Sequence, residues 1–214
     1  MQQNIKLTDF QIDILKEVGS ICSCWAITGL SQLTDKKIKL EMMPRFQIVP
    51  ASGISQLIRN LSMVSKWFVG IRSRILGGVK GNILIIFSGE SAFAFMNIFS
   101  SEVKDKESFT IEGISFIKEA GLIIICSFLQ ALSRFSDLVI FPSIPDLVNG
   151  NVEVVSNFVI KGLSRESLEV ISMETVFVAE ERKIKGSFLL IMEEKSIRTI
   201  LEIAEKYLNY KPTI

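Results

Sequence analysis

Histidine is absent from all 214 residues. That excludes Ser-His triads, Cys-His pairs, His-ligated metal centres and phosphohistidine chemistry. Any catalysis must run on carboxylates, hydroxyls, amides or lysines. Cysteine is scarce. Cys22, Cys24 and Cys126 make an odd count, and the N-terminus MQQNIKLTDF has no basic segment leading into an apolar one, so neither a disulfide framework nor a signal peptide is expected. No sign of charge dominates: 24 basic residues stand against 23 acidic, which predicts no nucleic-acid or membrane-surface footprint. Long apolar runs are missing too. Hydrophobic residues make up 48% and mean hydropathy is +0.39, yet no uninterrupted run reaches the roughly 18–20 residues of a spanning helix. The longest candidate, residues 122–132, is broken by Ser127 and Gln130 and reads as a helix buried on most sides. The expected location is cytoplasmic, with no membrane insertion.

What the chain does have is a repeat. DILKEVGSICSCWAITGLSQLTD, residues 13–35, lies over SFIKEAGLIIICSFLQALSRFSD, residues 115–137, at a shift of 102. Lys16/Lys118, Glu17/Glu119, Gly19/Gly121, Cys24/Cys126, Leu30/Leu132, Ser31/Ser133 and Asp35/Asp137 match. KGNILIIF from Lys80 and KGSFLLIM from Lys185 match again at a shift of 105. A period this long is not a solenoid unit; it is a duplicated half-domain.

Each half reads as long helix, strand, hairpin, helix. Thr8 or Asp9 caps a helix to about Leu33, with Phe10, Ile14, Leu15, Val18, Ile21, Trp25, Leu30 and Leu33 at three- and four-residue steps. Residues 36–49 alternate as a strand, 51–61 form a short helix or loop, and 67–76 and 82–87 form a hairpin across a glycine-rich turn. A helix at 90–99 and a charged connector at 101–108 close the first half. The second half has a helix from Thr110 to near Phe135, a short strand at 139–141, helical sequence at 149–163, strands at 168–178 and 184–192, and a closing helix at 195–208. The expected fold is α+β: one domain over 1–214, with pseudo-two-fold half-domains at about 8–100 and 108–208. About six mainly antiparallel strands pack against helices, two of them long and repeat-related.

Positions i, i+4, i+7 and i+11 of a helix share a stripe. In the first copy these are Asp13, Glu17, Ser20 and Cys24; in the second, Ser115, Glu119, Leu122 and Cys126. Most apolar residues of the first helix lie off the stripe, so Glu17 faces solvent. An ordinary exposed glutamate is the bland reading; its reappearance in Lys-Glu-x-Gly in an otherwise diverged copy argues for a retained role. The glycines invite a packing explanation of their own, since a helix-interior glycine often permits close contact. Cys22 and Cys24, two residues apart, point to opposite sides of a helix and read as small buried fillers rather than metal ligands. Gly77-Gly78-Val79-Lys80-Gly81 lacks phosphate-loop spacing and reads as a turn, and Arg72, Arg74 and Lys80 read as a solvated strand face.

An acid or serine, Glu four residues on, a further position three beyond, and a proline after about 22 residues, all occurring twice, resembles the CheC/CheX/FliY chemotaxis phosphatases. The chain's length fits the CheC branch best. The resemblance runs from the opening helix to the KGSFLLIM strand. Asp13 and Ser115 match the first position, Glu17 and Glu119 the glutamates, and Pro145 follows Leu122 after 22 intervening residues. Pro44 follows Ser20 after 23, displaced by one, and the family's asparagine is Ser20 in one copy and Leu122 in the other.

The resemblance implies hydrolysis of the aspartyl phosphate of the response regulator CheY. Glu would hold the regulator through its active-site lysine, and Asn would orient the attacking water. Mg²⁺ is expected on the regulator and no cofactor on this chain. Leu122 can neither donate nor accept, which leaves Glu119 a docking residue; Ser20 keeps a shorter hydroxyl and a weak catalytic role. Asp13, Ser115 and Pro145 are then partner-binding positions, with phosphorylated CheY and the deamidase CheD as partners. The alternative is a non-catalytic scaffold for CheY or CheD.

Overall fold

The structure, a computed structural model, describes residues 6–50, 53–62, 65–99, 111–161, 168–179 and 182–209. Helix α1 (Asp9–Thr34) begins where expected. The Thr8 hydroxyl accepts from the Gln11 N–H at 3.2 Å and the Gln11 side chain accepts from the Thr8 N–H at 3.1 Å, a reciprocal cap on two otherwise orphaned donors. The chain continues through β1 (Ile38–Pro50), α2 (Ile54–Ser62), β2 (Phe68–Gly77), β3 (Gly81–Ser88) and α3 (Gly89–Phe99). The second half gives α4 (Ile111–Ser136), β4 (Ile140–Pro142), β5 (Asp146–Gly150), α5 (Val152–Lys161), β6 (Leu168–Ala179), β7 (Arg182–Glu193) and α6 (Glu194–Asn209). The charged connector at 101–108 lies outside the described residues.

The sequence reading began a helix at Asn149. Residues 146–150 are instead a strand, so the described residues carry seven strands rather than six. Gly150, at φ +152°, ends β5, and the Asn151 side chain accepts from the Val154 N–H at 3.0 Å to start α5. An Asx cap and a left-handed glycine thus put the boundary three residues later than hydrophobic pattern did.

The sheet runs β1-β6-β7-β3-β2-β4, with β5 also paired to β2, and every pairing is antiparallel. Its register is symmetric. Leu84 faces Leu189, Ile83 faces Leu190 and Ile85 faces Phe188. Leu84 and Leu189 are also repeat mates under the 105-residue shift, so a pseudo-two-fold axis passes through that pair. The first strand of each half crosses the axis: β1 pairs with β6, and β4 and β5 pair with β2. Neither half keeps its own first strand beside its own hairpin.

Strand alternation divides the sheet into two faces. Val69, Ile71, Ile75, Ile83, Ile85, Phe87, Ile171, Met173, Phe188 and Leu190 meet α1, α3, α4 and α6 in the main core. Phe68, Leu84, Ile86, Leu189 and Ile191 point the other way, under Ile54 and Ile58 of α2 and Val155 and Val159 of α5. Within residues 113–136 of α4 an 18-residue window reaches a mean hydropathy of 1.6, so the helix is long and apolar enough, by length and composition, to cross a membrane. The sequence reading saw no such stretch because it sought an unbroken apolar run. In the fold Ile117, Ile124, Ile125, Phe128, Leu129 and Leu132 of this helix are spent on the core.

Candidate functional site: the outer faces of the two repeat helices

α1 and α4 pack side by side. Gly29 lies against Ser127 and Ile123, and Trp25 takes the Arg134 guanidinium over its ring at 4.9 Å. Four residues back on α1 correspond to several forward on α4, so the helices are antiparallel. From the Gly29–Ser127 contact, Glu17 lies along one direction and Glu119 along the other. At 1.5 Å rise per residue they stand roughly 30 Å apart along the pair. These carboxylates cannot share a proton or a substrate atom, so they stand as two separate candidate positions.

Both stripes face outward. Asp13, Glu17 and Cys24 are exposed and Ser20 is half-buried; Ser115, Glu119 and Cys126 are exposed and Leu122 is half-buried. Asp13 is engaged by Lys16 at 2.9 Å. Glu17 and Glu119 make no hydrogen bond or ion pair among the described residues, and neither does the Ser20 hydroxyl. Ser20 is therefore not tied to the helix carbonyl four residues back, which leaves its oxygen available. Pro145 is buried between β4 and β5, off the α4 stripe. Pro44 lies within β1.

The fold accounts for four of the seven repeat matches. Leu30 and Leu132 are buried. The Ser31 hydroxyl donates to the Lys36 carbonyl and the Ser133 hydroxyl to that of Leu138, each at 2.5 Å, folding the chain back after each helix. Asp35 and Asp137 stand there at φ 50° and 54°, in the left-handed region where a short polar side chain is tolerated. Gly19 lies against Met173 of β6, where an added Cβ would come within 2.6 Å of its sulfur; Gly121 lies against Ile71 of β2 more closely still. Both glycines let a helix settle onto the repeat-related strand beneath it. The matches at Lys16/Lys118, Glu17/Glu119 and Cys24/Cys126 are exposed in both copies. Core packing does not explain them.

Sequence reasoning missed two neighbours of Glu17. Ile21 and Trp25 were assigned to the buried face of α1, but they are 40% and 38% exposed, while Cys22, Ala26 and Ile27 are buried instead. Ile21 and Trp25 follow Glu17 at i+4 and i+8, so they extend its face. An aromatic on the stripe of a helix that already has a full i+4 core series (Ile14, Val18, Cys22, Ala26, Leu30) was the available signal. Of the two cysteines read as buried fillers, Cys22 is buried, and burial pushes its thiol from 9.0 up to about 12. Cys24 is exposed instead, as is Cys126. Partial burial also raises the Cys126 thiol. Arg72 is no solvated residue either, since its side chain is only 17% exposed.

No protein-family model matches the chain. A curated relative, the CheY-P phosphatase CheC of Bacillus subtilis, is 26% identical over 144 residues, which are 64% of this chain and 65% of that protein. The match thus spans just under two thirds of the relative's length. Among solved structures, FliY of Thermotoga maritima superposes with a TM-score of 0.75 at 18% identity, covering 94% of this chain and 99% of that one. The chain shares this fold with FliY. A FliM from H. pylori, solved as a FliM–SpeE complex, is similar at a TM-score of 0.65 and 10% identity over 96% of this chain and 100% of that one. At these identities the solved structures establish the fold, with its symmetric halves, and the CheC relative supplies the sequence likeness.

Proposed function

We propose that this is a CheC-type chemotaxis protein built from two repeats, which docks phosphorylated CheY on the outer faces of α1 and α4. In this reading the α1 face, with Glu17 and Ser20, retains a weak aspartyl-phosphate phosphatase activity, and the α4 face, with Glu119 and Leu122, only docks. The observation that carries it is the pair of exposed glutamates at repeat-equivalent positions, neither with a partner among the described residues. A carboxylate with no internal partner is free to receive a lysine from a regulator. Ile21 and Trp25 beside Glu17 add the apolar and aromatic area on which protein interfaces concentrate their energy.

The chemistry is asymmetric for a simple reason. The regulator brings its own Mg²⁺, so the phosphatase contributes the position of a water. Ser20 offers a hydroxyl that can hold a water, at shorter reach than a carboxamide; the Leu122 side chain has no polar atom. Absence of a well-aimed polar group typically costs on the order of 10²–10³ in rate.

Phosphate loss from phosphorylated CheY, followed with and without this protein, tests the reading. A small acceleration is expected, abolished by Glu17→Ala and unchanged by Glu119→Ala. Ser20→Asn should raise the rate by at least about tenfold toward the magnitude above. Binding without any acceleration would replace the enzyme with a scaffold for CheY or CheD, the reading favoured by the lack of the asparagine in both copies. Loss of both binding and acceleration would remove the proposal altogether.

A further inference from the structure

The sheet face turned away from α1 and α4 holds a cavity of about 490 Å³ beside α5, lined by Arg72, Arg74, Asn82, Ser143, Ile144 and Asp146. That lies within the range of sites for small organic ligands and is far larger than a bare inorganic ion needs. Its walls are fixed before any ligand arrives. Arg72 donates from Nη1 to the Phe158 carbonyl at 2.8 Å and from Nη2 to Asp146 at 3.0 Å, and it sits 4.2 Å from the centre of the Phe158 ring. Ser143 is locked to β2. Its N–H donates to the Arg74 carbonyl at 2.9 Å, its Oγ accepts from the Arg74 N–H at 3.0 Å, and its carbonyl accepts from the Ser73 hydroxyl at 2.7 Å.

Two side chains in this cavity remain unspent. The Arg74 guanidinium and the Asn82 amide make no hydrogen bond among the described residues. They are directly opposed across β2 and β3 and on the same sheet face. Arg72 already has its counter-charge in Asp146, so Arg74 leaves the cavity with one uncompensated positive charge. A guanidinium fork matches a carboxylate or phosphate edge, and an adjacent amide N–H can supply a further donor.

We propose that this cavity binds a small organic anion, holding its carboxylate or phosphate between the Arg74 guanidinium and the Asn82 amide. The Asp146 carboxylate oxygen not bonded to Arg72 accepts from a hydroxyl of the ligand body, and Ile144, 86% exposed, gives that body apolar cover. The second repeat does not reproduce the Arg74–Asn82 pair. The repeat-related flank, related by the Leu84–Leu189 axis, has Glu174 opposite Ser187 where the first half has Arg74 opposite Asn82.

The test uses the whole chain and four probes: succinate, glucose 6-phosphate, inorganic phosphate, and uncharged glucose. Thermal-shift titration at constant ionic strength should give a saturable rise in midpoint with succinate or glucose 6-phosphate, and none with glucose. Which of the two binds identifies the head group as carboxylate or phosphate. Arg74→Gln, an exposed change whose ligand-free midpoint should match the parent, should weaken binding about tenfold or more. Arg45→Gln on the other flank should leave it unchanged. No saturable shift from either organic anion overturns the proposal. So does inorganic phosphate binding as tightly as both of them, or affinity that survives Arg74→Gln.

Discussion

Gly19 and Gly121 stand at the same point of the two repeat helices, and each lets its helix close onto a strand of the sheet; what each meets there differs. Gly19 lies against the thioether of Met173, the far end of a flexible side chain, and Gly121 against Ile71, a side chain branched at Cβ on the repeat-related strand. Three residues along, the contrast continues. The first half places Cys22 and Ser23 in the core where the second half has Ile124 and Ile125. Ser23 is fully buried and its hydroxyl has no partner among the described residues. The second helix is thus the tightly packed copy and the first the compromised one. It is also the first that keeps a polar group, Ser20, at the position the second gives to Leu122. The two copies thus differ both in the core beneath the helix and at this half-buried position on the outward stripe.

The contact beneath the glycines should break this symmetry most clearly. Gly121→Ala should cost about 2–3 kcal/mol in urea denaturation, because a rigid core cannot give way, even after the helix-propensity gain. Gly19→Ala should come out near neutral, since Met173 can turn aside. Equal costs would mean that the two floors are equally rigid.

The next effect is in pH. The unfolded chain releases the Cys22 proton above its ordinary 9.0 and the folded chain holds it to about 12. Between those values the unfolded state binds fewer protons, so stability falls as pH rises, by up to about 1.4 kcal/mol per unit. Denaturation at pH 9 and pH 10.5 should show a steeper loss in the parent than in Cys22→Ala. Parallel losses would remove Cys22 as the cause. Ile124 gives the second half no such dependence.

The smallest effect sharpens the same comparison. Ser23→Ala removes an unpaired buried hydroxyl and should raise stability by about 1 kcal/mol, since the desolvation cost goes with it. A loss of stability would show that the hydroxyl is satisfied in solution.

Much of this molecule was legible in one dimension. Capping at Thr8, the i+4 core of α1 and the alternation of β2 and β3 are local, and each followed from residues a few positions apart. The shifts of 102 and 105 residues announced two related halves, and the outward face of Glu17 followed from helical period alone. β5 was hidden because a five-residue strand next to Val-rich sequence has no period long enough to separate it from the helix that follows.

What the sequence determined by itself was the duplication, the order of the elements apart from β5, and the difference between Ser20 and Leu122 at matched positions of the two repeat helices. Tertiary structure decided the exchange of β1 and of β4–β5 between halves, because strand partners are chosen by contacts across the whole chain. It decided that the two glutamates lie far apart, because the antiparallel pairing of α1 and α4 depends on Gly29 meeting Ser127. It also turned Arg72 and Arg74 from a charged strand face into two walls of a cavity, since Asp146 and Phe158 reach them from residues more than seventy positions away. Local period fixes which side of an element a residue occupies; only the packed chain fixes what stands on that side.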